Sequence, residues 1–508
     1  MTEHRYILPE PNARDALVKN LADRFARIRE TSSADSFEVM DTFDWRLFKT
    51  GWLMLRSADA YRTIDIHTGQ SVDTQALKSG KRIAFAWDFP ESDMAAALGP
   101  VIEMRALIPL GTVACQHVQH ELLNREEKIV ARLVLETYRL DAGEHAVEHC
   151  RILPVRGYAK AAKLAVACLQ KMGLEPARQS PVLTLLEKNG FSPGTYSSKV
   201  DIDLQPDIPA AEAVRRIMEQ LVTVIHQNLP GVREDVDSEF LHDFRVSVRR
   251  ARSLLGQTKG VLDQETTADL AARLKDMGDS TGNLRDLDVY LLKKTEYTGM
   301  VADVLKPGVA QLFSALARKR RYAKDRMIKR MATDAFAADM EVLDAFVRSD
   351  RLAESEAPAG NRPIGEMARA VIHKRYCRIV KKGRKITAAT PDEELHRLRI
   401  DCKKLRYLLE FFNSLFPKDQ MKILIKQLKQ LQENLGDFND LSVQQEFLVD
   451  YLQGITPKSP RKILLAAAIG GLITRLGIEH QRVRSQFLSV FARFDDVENR
   501  NRFQTLFA

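Results

Sequence analysis

Two segments of this 508-residue chain carry cations at helical spacing, and the stripes that these cations form hold no Asp or Glu. His242, Arg245, Arg249 and Arg252 recur every three or four positions, with Arg250 beside them; His396, Arg399, Lys403 and Arg406 do the same, with Lys404. Such a set binds anions, because guanidinium and ammonium groups donate to phosphate or carboxylate oxygens and a protonated imidazole adds charge. The segments stand at a constant offset of 154 positions, at which Leu274-Lys275 also answers Leu428-Lys429, and Gly282-Asn283-Leu284-Arg285-Asp286-Leu287 answers Gly436-Asp437-Phe438-Asn439-Asp440-Leu441. Two motifs in one register mark a duplicated structural unit whose basic residues do one job twice.

Helices must position these cations. At about 100° per residue, Phe240, Phe244, Val248, Ala251, Leu254 and Leu255 share a face opposite His242, Arg245, Arg249 and Arg252. Leu398, Cys402, Leu405, Leu408 and Leu409 likewise oppose the second set, so each copy offers a cationic stripe about 15 Å long. Like charges three or four residues apart repel, and a bound polyanion relieves that repulsion. Lys374, Arg375, Arg378, Lys381, Lys382 and Lys385 form a third such group on the preceding helix. Thr390, Pro391 and Glu393 read as a capping box that starts the second motif helix. Gly282 and Gly436 suit helix ends, with Asn283 and Asp437 as N-caps of the next helices. Asp286 and Asp440 then complement a helix dipole or orient the motif histidine or arginine.

The composition is globular, at 45% hydrophobic and 29% charged, and allows two to four domains. The first 205 residues hold 26 basic and 27 acidic side chains; totals of 77 and 68 leave 51 and 41 downstream, so the net charge of +9 belongs to the duplicated part. The apolar run Ile463 to Ile473 ends at Thr474 and Arg475, and the first residues are no signal peptide, so a cytoplasmic chain without a membrane span is expected. Five separated cysteines argue for reduced, mostly buried thiols. His67, His117, His120, His145, His149, His226, His373 and His480 show no ligand spacing with nearby Cys or Asp, and His145 and His149 read as surface residues. No metal, no cofactor and no catalytic residue is expected.

Residues 1 to 200 mix strand-like runs (Ile64 to Ile66, Ile83 to Trp87, Ala131 to Leu135) with helical ones, an α+β domain. Turn formers between Phe191 and Pro209 mark a linker, after which residues 206 to 500 read as all-α, with helical bundles at 206–354 and 361–500. The paired His-x-x-Arg-x-x-x-Arg/Lys helices, each followed by Gly-Asn/Asp-x-x-Asp-Leu, resemble the conserved-histidine α-helical domain, CHAD. That resemblance implies two bundles related by a pseudo-twofold and binding of inorganic polyphosphate, often at cellular polyphosphate granules. The implied contacts are His242, Arg245, Arg249, Arg250 and Arg252, then His396, Arg399, Lys403, Lys404 and Arg406. Lys403 and Lys404 replace two arginines and give up the guanidinium fork.

Upstream, Asp41-Thr42-x-Asp44, Leu47, Gly51 and Leu53 to Arg56 are similar to the CYTH, or triphosphate-tunnel, domain. Its Glu-x-Glu-x-Lys strand would fall at Glu3-His4-Arg5-Tyr6-Ile7, where one Glu and the Lys are missing, and Arg56 arrives one residue late and so on the other strand face. The expectation is a CYTH-like barrel or tunnel fold without catalysis, ahead of a polyphosphate-binding helical domain. A triphosphatase or polyphosphate hydrolase is the enzymatic alternative, and a nucleic-acid-binding scaffold the third reading. Tighter binding from pH 8 to about 6 is expected if His242 and His396 take up protons.

Overall fold

The computed structural model describes residues 4–9, 12–76, 82–349, 357–456 and 459–508. The chain divides into two compact units, Met1–Ser197 and Ser198–Ala508. The first holds strands β1 (His4–Ile7), β2 (Arg27–Asp41), β3 (Trp52–Arg56), β4 (Ala60–Asp65), β5 (Ser71–Ala76), β6 (Ile108–Leu123), β7 (Ile129–Leu140) and β8 (Ala146–Pro154). They form one antiparallel sheet in the order β1-β8-β7-β6-β2-β3-β4-β5. Helices α1 (Asn12–Ala22) and α4 (Ala159–Lys171) bury Leu17, Leu21, Ala165 and Leu169 with Leu133, Leu135 and Ile152 of one sheet face. α5 (Pro181–Lys188) packs Val182, Leu185 and Leu186 with Phe37, Leu55 and Val113 of the other face, and α2 (Arg46–Lys49) and α3 (Asp93–Ile102) close a third cluster around Met54 and Tyr61. This eight-stranded sheet is consistent with a CYTH-like tunnel fold.

The second unit is helical: α6 (Ala210–Glu234), α7 (Ser238–Gln257), α8 (Gln264–Leu292), α9 (Lys294–Gly299), α10 (Lys306–Met331), α11 (Asp334–Arg348), α12 (Ile364–Gly383), α13 (Asp392–Phe411), α14 (Lys418–Gln453), α15 (Pro460–Phe494) and α16 (Val497–Phe507). Helix starts repeat at the motif offset, because 210, 238, 264 and 306 become 364, 392, 418 and 460. Equivalent residues also exchange hydrogen bonds where the copies meet. Ala210 N–H donates to Arg362 O at 2.9 Å and Ile364 N–H to Ile208 O at 3.0 Å; Ala211 and Gly365 repeat the exchange on Gly360 and Pro206. Each donor of one copy thus bonds the acceptor's counterpart in the other, the signature of a pseudo-twofold.

Three local expectations fail. α8 and α14 run straight through Gly282 and Gly436 instead of ending there, and Asn283 and Asp437 cap nothing. A Cβ on Gly282 would lie 3.7 Å from the Arg245 guanidinium, an ordinary van der Waals contact. The capping box does not form either: Pro391 is the N-cap of α13 without a side-chain bond, and Thr390 Oγ1 accepts instead from the Thr387 N–H. Its counterpart Asp237 keeps the cap in the first copy, bonding the Glu239 and Phe240 amides. The apolar run expected to fall short of a membrane span lies in a longer helix, α15, which continues through Thr474 and Arg475. By length and composition α15 could cross a membrane, and a third of its most apolar window is buried inside the chain. Leu465, Ala468, Ile469, Leu472 and Leu476 form its buried stripe, against α14 and α10.

Helix α10 meets α15 at Gly308, where an added Cβ would stand 2.6 Å from the Leu464 carbonyl and 2.7 Å from Ala468 Cβ. Backbone cannot yield as a side-chain tip can, so Gly308→Ala is expected to lower unfolding stability by about 1–3 kcal/mol, measurable by urea denaturation.

Candidate anion site on the duplicated helices

The buried face of α7 is the one expected, with Phe240, Phe244, Val248, Ala251, Leu254 and Leu255 in the core and the cations opposite. Contacts from α8 and α14 hold the motif side chains. His242 Nδ1 lies 2.9 Å from Arg285 Nη2, and His396 Nδ1 lies 2.9 Å from Asn439 Oδ1, equivalent contacts 43 residues apart in each copy. Arginine can only donate, so His242 Nδ1 is an acceptor and its ring proton sits on Nε2. Protonation would set imidazolium against guanidinium. In this arrangement His242 orients Arg285. His396, facing an amide oxygen, donates through Nδ1.

Arg245 reaches α8, donating to Gly278 O at 2.6 Å and Thr281 Oγ1 at 2.7 Å. Burial lowers its pKa, and Arg249 adds to the effect. Its counterpart Arg399 stands 3.4 Å from Asp440 and is depressed by burial and then, against Asp440, by Arg249. Lys403 is pulled down to about 8, by burial first and then by Arg399 and Arg249. The two stripes therefore converge, with the counterparts Arg249 and Lys403 facing across the pseudo-twofold. Among the described residues neither has a carboxylate within ion-pair reach, and Asp286 and Asp440 lie to the sides. Arg406 borders this cluster and pairs with Glu410 at 3.3 Å.

Other expected contacts lie elsewhere. Arg250 is 7% exposed and spent on structure: it donates to Ser198 O at 2.6 Å and Glu410 at 3.0 Å, with Tyr407 beneath it. The group on α12 is not the unopposed charge the wheel implied. Arg375, Arg378 and Lys382 surround the 4% exposed Asp401 at 2.8, 3.2 and 2.7 Å. Lys404 faces that group and is depressed by burial and then by Arg375. Lys374 and Lys381 are exposed, and Lys374, Arg375 and Arg378 line a pocket of about 370 Å³ with Lys259. Arg252 is half-buried on the α7 stripe. Sequence reading passed over Arg285, because its repeat partner is the neutral Asn439, and Asp401, because it sits beside the apolar face of α13.

In the sheet unit, Asp41 is a buried cap that accepts from the amides of Leu47 and Phe48 at 3.0 Å each, and burial raises its pKa to about 6. Asp44 pairs with Arg46 and Arg105. The Asp41-Thr42-x-Asp44 motif is thus architecture. Arg56 lies on the strand face away from the neighbouring Leu55, bound to Glu38 at 2.6 Å, while Arg5, Arg62 and Arg151 line a cavity of about 160 Å³ on the Leu55 side. Glu3 lies outside the described residues. Two histidine readings are corrected: His145 is exposed as expected, but His149 is fully buried, its pKa pushed to about 4 by burial. His117 does have ligand-type neighbours, since strand register puts Cys115 and Asp35 beside it.

Residues 216–449 match the CHAD domain family. The uncharacterized protein Rv2226 of Mycobacterium tuberculosis is 26% identical over 253 residues, 48% of this chain and 46% of that protein, so the chain spans about half the length of that curated relative. Among solved structures, the CHAD domain of the plant Ricinus communis is similar at 23% identity and a TM-score of 0.48, covering 58% of this chain and 96% of that one. PptA from Streptomyces chartreusis follows at 16% identity and a TM-score of 0.44, covering 56% and 99%. Residues 216–449 of this chain are a CHAD domain, preceded by an eight-stranded antiparallel sheet unit.

Proposed function

We propose that the helical unit binds inorganic polyphosphate across its pseudo-twofold, through Arg249, Lys403, Arg245, Arg399 and the neighbouring Arg252 and Arg406, and that the sheet unit performs no phosphoryl chemistry. The observation that carries this reading is that Arg249 and Arg399 both depress Lys403, while among the described residues no carboxylate lies within ion-pair reach of Arg249 or Lys403. Such repulsion persists in a fold when a ligand of opposite charge relieves it. The CHAD match suggests association with polyphosphate, a polyanion with repeated charge and no bases to read. Against nucleic acid stands Tyr407, an aromatic residue beside the stripes: it is buried at 7% exposure beneath Arg250 and Arg406 and offers no platform for a base. Titration of the full chain with labelled polyphosphate, in competition with single-stranded DNA, tests the reading. Polyphosphate should displace DNA at equal charge, and the reverse outcome favours the nucleic-acid reading. Phosphate release from triphosphate with Mg or Mn would favour the enzymatic one. Cytoplasmic residence at polyphosphate granules belongs to the same proposal, tested with a fluorescent fusion in cells with and without stored polyphosphate.

The titration that matters for binding is that of Lys403. Its free pKa of about 8 rises when an anion binds, so the complex takes up a proton where free Lys403 is neutral. Affinity should stay level below pH 7.5 and fall from about 8 to 9.5, by about tenfold per unit of difference between bound and free pKa. Lys403→Arg should remove the fall.

A further inference from the structure

Strand register brings three metal-ligating side chains together on the sheet face that carries the 160 Å³ cavity. Asp35 of β2 pairs with Cys115 of β6, and His117 follows two positions along β6, hence on the same side. Cys115 Sγ is 4.0 Å from His117 Nδ1, His117 Nε2 is 3.3 Å from Asp35 Oδ1, and one donor atom of each residue lies within 4.8 Å of the others.

We propose that Asp35, Cys115 and His117 bind one divalent transition metal of the zinc class. Donor atoms around tetrahedral zinc stand about 3.3–3.8 Å apart, given bonds of about 2.0 Å to nitrogen or oxygen and 2.3 Å to sulfur; Nε2, already 3.3 Å from Asp35, is the ligating nitrogen, and Cys115 Sγ turns from Nδ1 towards it. Glu136, opposite His117 on β7, places Oε1 3.5 Å from His117 Nδ1 and is itself held by Arg151 at 2.7 Å, the outer carboxylate that orients a ligating imidazole. Arg5, Arg62 and Arg151 line the same cavity and oppose a cation. Two of them turn to Glu136, Arg151 and, at 3.9 Å, Arg5, and the ionised donor set carries two negative charges. Binding exchanges the thiol proton for the metal: Cys-SH and M²⁺ give Cys-S-M⁺ and H⁺. A thiolate and an imidazole select zinc or cobalt over magnesium and manganese, unlike an all-carboxylate site.

The test is cobalt and zinc titration of the reduced full chain. One equivalent should bind, with a sulfur-to-cobalt charge-transfer band and release of a proton, and magnesium in excess should not displace it. Cys115→Ser should abolish the band and weaken zinc at least about a hundredfold, and Asp35→Asn, at an exposed residue that leaves the core intact, at least about tenfold. Cys377 lies 3.5 Å from His373 and supplies the control, since Cys377→Ser should change nothing. No binding by the parent chain, a band that survives Cys115→Ser, unchanged affinity in Asp35→Asn, or a band lost with Cys377 overturns the proposal.

Discussion

Reversing both charges at the pseudo-twofold, Arg249→Glu with Lys403→Glu, is expected to weaken polyphosphate binding by at least about a hundredfold and to flatten its salt dependence by about two to four phosphate contacts. Arg249→Glu alone would leave a carboxylate facing Lys403, a new pair that cancels two cations at once. Both reversals place two carboxylates where the phosphates should sit. The fold should survive, because Arg249 is exposed and makes no ion pair among the described residues, and Lys403 is held below its ordinary pKa at a cost to stability near neutral pH. Sign supports this: a lysine with folded pKa near 8 and unfolded pKa near 10.4 makes stability rise with pH between the two, so replacing it by an uncharged residue should raise the melting temperature at pH 7. Arg245→Glu belongs to a different class. It breaks the bonds to Gly278 and Thr281 that tie α7 to α8, so it should lower stability before it informs on binding.

Asp401→Ala is expected to lower unfolding stability by about 3–5 kcal/mol in urea denaturation. Three cations from α12, Arg375, Arg378 and Lys382, close on this one buried carboxylate and would be left facing each other. Polyphosphate affinity of the folded fraction should hold or increase, because the change adds net positive charge. A loss of affinity with stability intact would instead make Asp401 part of the binding site.

The helical unit was legible because its sequence repeats. Equal offsets in His242/His396 and Arg249/Lys403 gave the duplicated helices, and wheels gave their buried faces, which the structure repeats residue by residue. Which cations stay uncompensated was not legible. A wheel sees one helix, and Asp401 neutralises the neighbouring helix from beside the apolar face of its own, while Arg250 turns to Glu410 on the opposite copy. Gly282 and Asn283 misled because both types are common at helix ends, whereas α8 carries them in its interior. In the sheet unit, Cys115 and His117 gave no ligand spacing with an acid in sequence, because Asp35 joins them only through the register of β2 with β6, 80 residues away.

The charge on Lys403 itself reports most directly on whether polyphosphate lies across the pseudo-twofold. With lysines labelled by reductive ¹³C-methylation and the Lys403 signal assigned through Lys403→Arg, a pH titration should give a free pKa near 8 that moves up by more than about one unit when polyphosphate is added. A Lys403 titration that does not move while polyphosphate is demonstrably bound would contradict the account.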